Sequence, residues 1–379
     1  MMKQHFNPVR LVMGKHAIQA LPQEILRYGK KCLLVAQDNC DAMIEIKNRI
    51  GELLEKGGVE YDVFSEIRPN PLISDIEKGI RTVKENHYDA VVAVGGGSVI
   101  DTGKILSVSN DYEIDWQMAF AKPLSLHNKN KLPLFTVPTT AGTGSHCTQA
   151  AVISDDHNRK HSVYSFDFFS TAAFVDYTLT MSLPKPLTAS TGFDAFCHLS
   201  ESYIMGRLSP IMEMMSLDAM RKIVRVLPKL MEENREEYRE IMSIADSCAG
   251  ICLSNGGAIV PHAFGEAISS HVYRINHGCS LAVCYPAFTE HFYNHKEYGK
   301  RIKDVAEILG GERTDIQDGK RARAVVEHFI ESLELKYTLA DYGVSEEELS
   351  KIRESFLEQK RFKPEEVTDI IEDICGETM

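Results

Sequence analysis

The sequence predicts an N-terminal α/β domain built on a parallel sheet, followed by an all-helical domain. In the first half of the chain, short apolar runs alternate with segments of helical periodicity. From about residue 184 the strand patterns fade and the helical periodicity continues. Strand–helix alternation is typical of a parallel sheet covered by helices. We place the boundary at Leu183–Pro184, which divides the chain into domains 1–183 and 184–379.

The elements of the first half follow from short apolar runs and the segments between them. The run KCLLVAQD (31–38) ends in polar residues, as buried parallel strands often do. The next segment, 41–58, has helical spacing and a glycine stop at Gly57 and Gly58. Further strands are predicted at 60–64, 88–98 and the start of 131–145, and further helices at 73–87 and 99–109.

The chain after Pro184 has helical periodicity almost throughout. The predicted helices are 185–206, 209–232, 235–255, 259–273, 298–310, 320–335, 345–358 and 364–375. The apolar segment that follows His277 is compatible with either a helix or a strand, because an unbroken apolar run has no distinguishing period.

Composition excludes several classes of protein. The net charge of −12 argues against nucleic acid or an anionic membrane as the main partner, and no apolar run reaches the length of a membrane span. The nine cysteines include no CxxC pair, and the first residues lack the apolar region of a signal peptide. We therefore expect reduced thiols and a cytoplasmic protein.

A glycine loop lies between a predicted strand and a predicted helix, in AVGGGSVIDTGK (93–104). Consecutive glycines allow backbone N–H groups to approach a ligand, and a helix N-terminus favours a phosphate. The loop is neither a Walker A motif, since Ser98 and Ile105 occupy two required positions, nor GxGxxG, since Ile100 occupies the third glycine position. Phosphate binding is favoured over a tight turn without a ligand.

A second polar loop, PTTAGTGSHCT (138–148), offers Thr139, Thr140 and Thr143. Both loops follow strands, and ligands of open parallel sheets gather at the carboxyl ends of the strands. The two loops are therefore predicted to converge on one ligand, although threonines are also common as plain turn caps.

Histidines and carboxylates with helical spacing make a metal site plausible. Asp194 and His198 are four residues apart, and so project from one face of a helix. Downstream, VPHAFGEAISSHVYRINHG carries His262, Glu266, His271 and His277. A single histidine is more often a surface or core residue, but imidazoles with one carboxylate together suit Fe(II) or Zn(II) better than Mg(II) or Ca(II).

Taken together, these segments resemble the iron-containing, or group III, alcohol dehydrogenases over nearly the whole chain. GGGSVIDTGK and PTTAGTGS are similar to the family's two cofactor loops. GFDAFCHLSESY and HAFGEAISSHVYRINHG resemble its metal-binding segments, and RPNPLISDIEKG and RFKPEEVTDIIEDIC resemble flanking segments. The resemblance implies a dehydroquinate synthase-like fold, in which a dinucleotide-binding α/β domain is joined to an all-helical metal domain.

The resemblance also implies an activity and its residues. The reaction would be reversible hydride transfer between NAD(P)H and a small aldehyde or primary alcohol, with Fe(II) or Zn(II) polarising the substrate oxygen. The implied metal ligands are Asp194, His198, His262 and His277. The implied cofactor residues are Gly95, Gly96, Gly97, Ser98, Asp101, Thr139, Thr140, Thr143 and Lys160, the last being equally compatible with a solvated surface lysine.

Three positions depart from the family pattern. Glu266 stands four residues after the third ligand, where many members carry a histidine thought to assist proton transfer. Glu266 could relay a proton, bind the metal or support His262, and His271 could take over the relay. His146 and Cys147 replace the usual Glu–Val, and the spacing from His262 to His277 is one residue longer than in many relatives.

The choice between NAD and NADP is expected at the end of the first long strand. Gln37 is neutral and tolerates either cofactor, whereas Asp38 favours NAD if its carboxylate faces the ribose. A solvent-facing Asp38 without a role is the alternative.

Rival hypotheses share the fold but not the reaction. Glycerol dehydrogenase-like and dehydroquinate synthase-like enzymes resemble the same plan and usually bind zinc through one Asp and two His, so the presence of His198 favours the four-ligand iron pattern. A non-catalytic nucleotide- or metal-binding protein is a further alternative, favoured only by Glu266. The resemblance implies a homodimer, and PVRLVMG is a candidate for an edge strand shared between subunits.

Overall fold

The computed structural model describes residues 3–110, 112–124, 131–311, 316–359 and 361–376. Two compact units form within these ranges. One is Phe6–Leu183, and the other is formed by the residues from Pro184 onward together with the first residues of the chain, up to His5. The outermost ends of the two predicted domains, residues 1–2 and 377–379, lie outside the described residues.

The Phe6–Leu183 unit is built on a parallel sheet. Its described strands are β1 (Arg10–Met13), β2 (Lys31–Ala36), β3 (Glu60–Phe64), β4 (Ala90–Gly95), β5 (Leu134–Pro138), β6 (Ala150–Ser154), β7 (Lys160–Tyr164) and β8 (Ala172–Val175). Among these, six form one parallel sheet in the order β1-β8-β5-β4-β2-β3, and β6 and β7 pair separately as an antiparallel hairpin. The α-helices are α1 (Leu21–Ile25), α2 (Asp41–Lys56), α3 (Ile73–Glu85), α4 (Gly97–Val108) and α5 (Trp116–Ala121).

The central strands are apolar on both faces because both faces are covered. Leu34, Val92 and Phe135 belong to the core on one side of the sheet, with α1 and α2. The alternate residues, such as Leu33 and Val91, belong to the core on the other side, with α4. This double burial explains why β2, β4 and β5 have continuous apolar sequences rather than alternating ones.

The second unit is helical within the described residues. Its helices are α6 (Lys185–Ile204), α7 (Pro210–Glu232), α8 (Glu236–Gly256), α9 (Val260–His271), α10 (His277–Phe292), α11 (Gly299–Gly310), α12 (Gly319–Ser332), α13 (Glu346–Glu358) and α14 (Pro364–Cys375). α6 and α10 are buried over most of their length and share a cluster of aromatic rings formed by Phe193, Phe196, Tyr285 and Phe329. The predicted fold class, a parallel α/β domain followed by a helical domain, is confirmed.

The structure resolves the one element left open by the sequence, and it adds others. The segment after His277 is a helix, α10. The β6–β7 hairpin and β8 were not predicted. β8 is only four residues long, and three of the five β7 side chains are partly buried, so neither strand has a clear alternation of buried and exposed positions.

The cysteines and the helices bear on the expected thiol state and on membranes. All nine cysteines lie in the described ranges and none forms a disulfide. Cys40 is exposed at the residue that precedes α2, and the others are buried or partly buried. Within the described ranges, every helix is too short or too polar to cross a bilayer.

Candidate metal centre and cofactor loops

Three helices of the second unit bring one carboxylate and three imidazoles together. α6 carries Asp194 and His198, α9 carries His262 near its start, and α10 begins at His277. The Asp194 Oδ1 atom lies 3.6 Å from His198 Nδ1, 3.5 Å from His262 Nε2 and 3.8 Å from His277 Nε2. Asp194, His198 and His262 are buried, and His277 is partly exposed. The resemblance-implied ligand set is thus assembled within one unit.

Local sequence explains why the side chains meet. Asp194 and His198 are one turn apart on α6, so both face the same side of that helix. The Asn276 side chain accepts from Cys279 N at 3.0 Å and so caps the start of α10, which fixes His277 in the first turn. A Cβ atom at Gly278 would lie 2.0 Å from the backbone oxygen of Ser190, so only glycine allows α10 to approach α6 this closely.

The charges of the cluster stabilise one another. Burial alone raises the pKa of Asp194, but the neighbouring His198, His262 and His277 outweigh it and lower that pKa to about 2. Burial alone lowers the pKa of His262, but Glu201 and Asp194 outweigh it and raise that pKa to about 10. In the metal-free cluster at neutral pH, His262 is therefore a cation held between two carboxylates.

The residues present fit a divalent metal. Asp194 Oδ1 and His262 Nε2 are buried and have no hydrogen-bond partner among the described residues. Buried polar atoms without partners are rare, and these two point at each other across 3.5 Å. One carboxylate with imidazoles is a donor set that suits Fe(II) or Zn(II).

Glu201 belongs to the same cluster, and the sequence reasoning missed it. It lies on α6, three residues after His198, and its side chain is fully buried. Its Oε1 atom is 2.6 Å from Nδ1 of His262, on the side of the ring away from Asp194. The signal was present, because a third ionisable residue continued the one-turn spacing of Asp194 and His198.

The glycine loop and the threonine loop converge in the Phe6–Leu183 unit. Thr139 N donates to Gly95 O at 3.1 Å. A Cβ atom at Gly96 would lie 3.2 Å from Thr140 Cγ2, and one at Gly97 would lie 3.0 Å from Thr143 Cγ2. No side chain caps α4, whose first residue is Gly97, so its first N–H groups are available to an anion.

A fully buried lysine ties the two loops together. Lys104 Nζ donates to Asp101 Oδ1 at 3.1 Å, to Ser145 Oγ at 2.7 Å and to Thr148 Oγ1 at 2.9 Å, and also to the Ala150 carbonyl oxygen. Asp101 accepts in addition from the Ser145 hydroxyl and from Val152 N. Asp101 was predicted to contact the cofactor. Its described hydrogen bonds instead join α4 to the second loop and to β6.

The other predicted cofactor residues have varied surroundings. Ser98 Oγ accepts from Asn70 N at 3.3 Å, beside the glycine loop. The Gln37 amide donates to Ile67 O at 3.1 Å, and Asp38 forms an ion pair with Lys47 of α2. Lys160 is the first residue of β7 and pairs with Ser154 of β6.

His146 lies near the buried lysine. It is fully buried, and burial, followed by the charge of Lys104, lowers its pKa to about 3. His146 is therefore neutral at physiological pH, which fits a packing role better than a charged contact with a ligand.

The two candidates for proton transfer lie on α9 beyond His262. The Glu266 carboxylate, one turn after His262, forms a 3.2 Å ion pair with the exposed Arg361. His271 is the last residue of the helix, about 13 Å further along the axis than His262. This separation makes His271 a weaker candidate for proton relay than Glu266.

Comparison with known proteins covers both units. Residues 8–177 match the family described as iron-containing alcohol dehydrogenase, and residues 188–374 match the C-terminal part of the same family. The chain is 27% identical to an NAD-dependent methanol dehydrogenase of Bacillus methanolicus, over 94% of each chain. It is 29% identical to long-chain-alcohol dehydrogenase 1 of Geobacillus thermodenitrificans, over 92% of this chain and 89% of the other.

Solved structures show the same likeness. An alcohol dehydrogenase from Oenococcus oeni superposes with a TM-score of 0.89 at 25% identity, over 98% of this chain and 100% of the other. An iron-containing alcohol dehydrogenase from Thermotoga maritima superposes with a TM-score of 0.85 at 26% identity, over 99% of this chain and 100% of the other.

Proposed function

Because the chain belongs to the iron-containing alcohol dehydrogenase family, we propose that it interconverts a small primary alcohol and its aldehyde with NAD as the hydride carrier. Family membership confirms the predicted class, a metal-dependent oxidoreductase that uses a nicotinamide cofactor. The observation that carries the proposal is the cluster of buried Asp194, His198 and His262 in the helical unit, with the partly exposed His277 beside it.

Each unit has its own part in the proposed reaction. Asp194, His198, His262 and His277 would hold the metal, since their donor atoms already face one another. When bound, the metal ion supplies Lewis acidity at the substrate oxygen and the nicotinamide supplies the hydride. The chain itself supplies a buried setting for the cluster, which strengthens the electrostatic attraction between the ligands and a cation.

The cofactor loops would orient the dinucleotide. The open N–H groups at the start of α4 favour the pyrophosphate, and Thr140 and Thr143 stand beside Gly96 and Gly97 to contact it. Asp101 would act indirectly, through the buried lysine that ties the loops together. Lys160 stays a candidate for contact with the cofactor.

The preference for NAD rests on Asp38, two residues after β2 ends at Ala36. A carboxylate there favours ribose hydroxyls and repels a 2′-phosphate, although Lys47 offsets part of its charge. We expect kcat/KM to be higher with NADH than with NADPH. Asp38→Ala should lower the ratio of these two kcat/KM values. A wild-type enzyme that uses NADPH at least equally well would contradict this preference.

Glu266 is the better candidate for proton transfer to or from the substrate oxygen. It lies one turn from His262, and its carboxylate also forms an ion pair with Arg361. His271 stays a weaker alternative. The exact alcohol is not part of the proposal, because relatives are named for methanol, long-chain alcohols, choline and sulfoacetaldehyde.

A homodimer and a cytoplasmic location complete the proposal. β1 is an edge strand of the described sheet, so its outer side can pair with a second copy. The cysteines without disulfides fit the reducing cytoplasm.

The decisive experiment compares turnover with and without the metal. The purified protein would be stripped with a chelator, and NADH oxidation would be followed with a panel of short aldehydes after Fe(II) or Zn(II) is restored. We expect turnover only with metal and none in Asp194→Ala. Asp304→Asn is the matched control. Asp304 is a carboxylate of the same unit, but it contacts Tyr203 and not the metal cluster.

Two outcomes would contradict the proposal. Equal turnover in stripped and metal-loaded protein would remove the role of the cluster. Tight binding of metal and NADH without turnover of any aldehyde or alcohol would instead favour a non-catalytic binding protein.

A further inference from the structure

We propose that Glu201 is a positioning residue for the metal centre, which fixes the ring of His262 and thereby raises the affinity for the metal. This inference rests on the metal centre of the proposed function but not on the identity of the substrate. Glu201 is fully buried, and it is not one of the four ligands that face the centre of the cluster.

The two oxygens of Glu201 have different partners on α9. Oε1 is 2.6 Å from His262 Nδ1. Oε2 accepts from Ile259 N at 2.8 Å and from His262 N at 3.4 Å. A single carboxylate from α6 therefore holds both the ring and the backbone of the same ligand.

The contact with Nδ1 decides which nitrogen of His262 faces the metal. A carboxylate only accepts hydrogen bonds, so Nδ1 must carry a proton when it lies 2.6 Å from Glu201. The cationic ring gives up its second proton when it binds a metal, and with Nδ1 held by Glu201 the lone pair of the neutral ring is then on Nε2, the atom that lies 3.5 Å from Asp194 Oδ1. A carboxylate behind a metal-binding histidine commonly fixes both ring orientation and basicity in this way.

The contact with the backbone fixes where α9 begins. Ile259 stands at the N-cap position but offers no side-chain acceptor, and Pro261 has no N–H group. The amide of His262 is the third of the helix, which a capping side chain normally satisfies, and Glu201 supplies that acceptor from another helix. These hydrogen bonds fix the position of the start of α9 relative to α6, which carries Asp194 and His198.

The negative charge of Glu201 is a second reason to assign it a role in metal binding. A buried carboxylate is costly unless it is matched by positive charge and hydrogen bonds. Asp194 and Glu201 together carry two negative charges, which a divalent cation would balance. A purely structural cap would need an acceptor but not this second charge beside the cluster.

The test is metal affinity, measured without turnover. Stripped wild-type protein and Glu201→Gln would be titrated with Co(II) and with Zn(II) in competition with a chromophoric chelator, and the Co(II) absorption spectrum would be recorded. We expect Glu201→Gln to bind about 10–100-fold more weakly and to give a changed Co(II) spectrum. Gln keeps the size of the side chain but loses its charge and one acceptor.

Two further variants separate positioning from folding. Asp304→Asn is the matched control, because Asp304 accepts from Tyr203 of α6 at 2.7 Å without touching a ligand, and its affinity should equal that of the wild type. Glu201→Asp keeps the charge but shortens the reach to His262, so it should fold and bind at least tenfold more weakly. It tests the proposal should Glu201→Gln not fold.

The outcomes distinguish this inference from the proposed function. Unchanged affinity in a folded Glu201→Gln or Glu201→Asp protein would overturn the role of Glu201 and leave the metal centre intact. A wild-type protein that binds neither Co(II) nor Zn(II) would instead overturn the metal centre itself, and this inference with it.

Discussion

Lys104 shows how a full charge is accommodated in the core of the α/β unit. Burial lowers its pKa, while the adjacent carboxylate of Asp101 works in the opposite direction. The ammonium has four oxygen acceptors, two of which, Ser145 and Thr148, belong to the second loop. A buried charge with this many partners specifies how α4 and the loop fit together.

Removing the Lys104 ammonium should therefore be costly. In Lys104→Met, Asp101 would stay buried without its cation, and we expect the free energy of unfolding to fall by about 3–5 kcal/mol. Urea unfolding followed by circular dichroism measures this. The double variant Lys104→Met/Asp101→Leu should recover part of the loss, and a double variant as unstable as the single one would contradict the reason given.

The metal-free enzyme should lose stability at alkaline pH. The pKa of His262 is raised from 6.5 to about 10, so its contribution is fully present below pH 6.5 and is lost as the pH rises towards 10. Thermal unfolding of stripped protein between pH 6.5 and 10 should show this decline. His262→Gln should lack this decline. An equal fall of the melting temperature with pH in the two proteins would contradict the prediction.

The residues of the centre differ in how well the sequence could predict them. Asp194 and His198 share a helix, so their spacing alone puts them on one face. Residue type made His262 and His277 candidate ligands, but the full ligand set came from the family resemblance, because local spacing does not predict how helices pack. Glu201 continues the one-turn spacing of Asp194 and His198, but that spacing does not reveal its partner, the start of α9. That the cluster binds metal stays a prediction.

At the scale of elements, the contact between α6 and α10 depends on one missing side chain. Gly278 is the second residue of α10, directly after His277, and it lies against the backbone of Ser190. Backbone cannot rotate away as a side chain can, so any added atom must push the two helices apart.

Gly278→Ala should destabilise the protein and disturb His277. We expect a loss of at least about 1–3 kcal/mol, despite the higher helix propensity of alanine, together with weaker metal binding. Gly265→Ala is the matched control, because the nearest atom to its new Cβ would be the Ser280 hydroxyl at 2.9 Å, which can rotate. The melting temperatures of the Gly278→Ala and Gly265→Ala proteins would be measured by thermal unfolding. Equal melting temperatures would contradict the prediction.

Long periodic elements were predictable, and short ones were not. α2 was predicted over 41–58 and spans Asp41–Lys56, because its glycine stop and helical spacing agree. α10 was ambiguous because it is buried almost all round and so shows no polar face. β8 pairs with β1 and β5, and these non-local partners, rather than its four residues, make it a strand.

At the scale of the whole molecule, the open side of β1 bears on assembly. Arg10 N and Gly14 N donate to Thr171 O and Val175 O, on the β8 side. Because alternate residues of a strand point their amides to opposite sides, the amides of Leu11 and Met13 face away from β8. This row of outward amides is what a second copy would pair with in the proposed homodimer.

Leu11→Pro should block that pairing and leave the sheet intact, because it removes an outward amide only. We expect a dimer for the wild type and a monomer for the variant in sedimentation velocity. Val12→Pro removes an inward amide and should lower the melting temperature more. A dimeric Leu11→Pro protein would argue against β1 as the interface.

The family of the chain was predictable because its motifs are spread along nearly the whole length, and the matches at 8–177 and 188–374 confirm it. The substrate was not predictable. Relatives that are about equally identical to this chain are named for very different alcohols and aldehydes. Fold and metal chemistry are shared across such a family, whereas the substrate depends on a few side chains.

The single well-exposed cysteine gives the protein a built-in attachment point for a reporter. Cys40 directly precedes α2 and lies two residues after Asp38, while the other thiols are buried or partly buried. A maleimide dye should therefore label the native enzyme at Cys40 first, without any engineering. Because Asp38 is proposed to face the adenosine ribose, the fluorescence of the dye should change when the dinucleotide binds, independently of turnover.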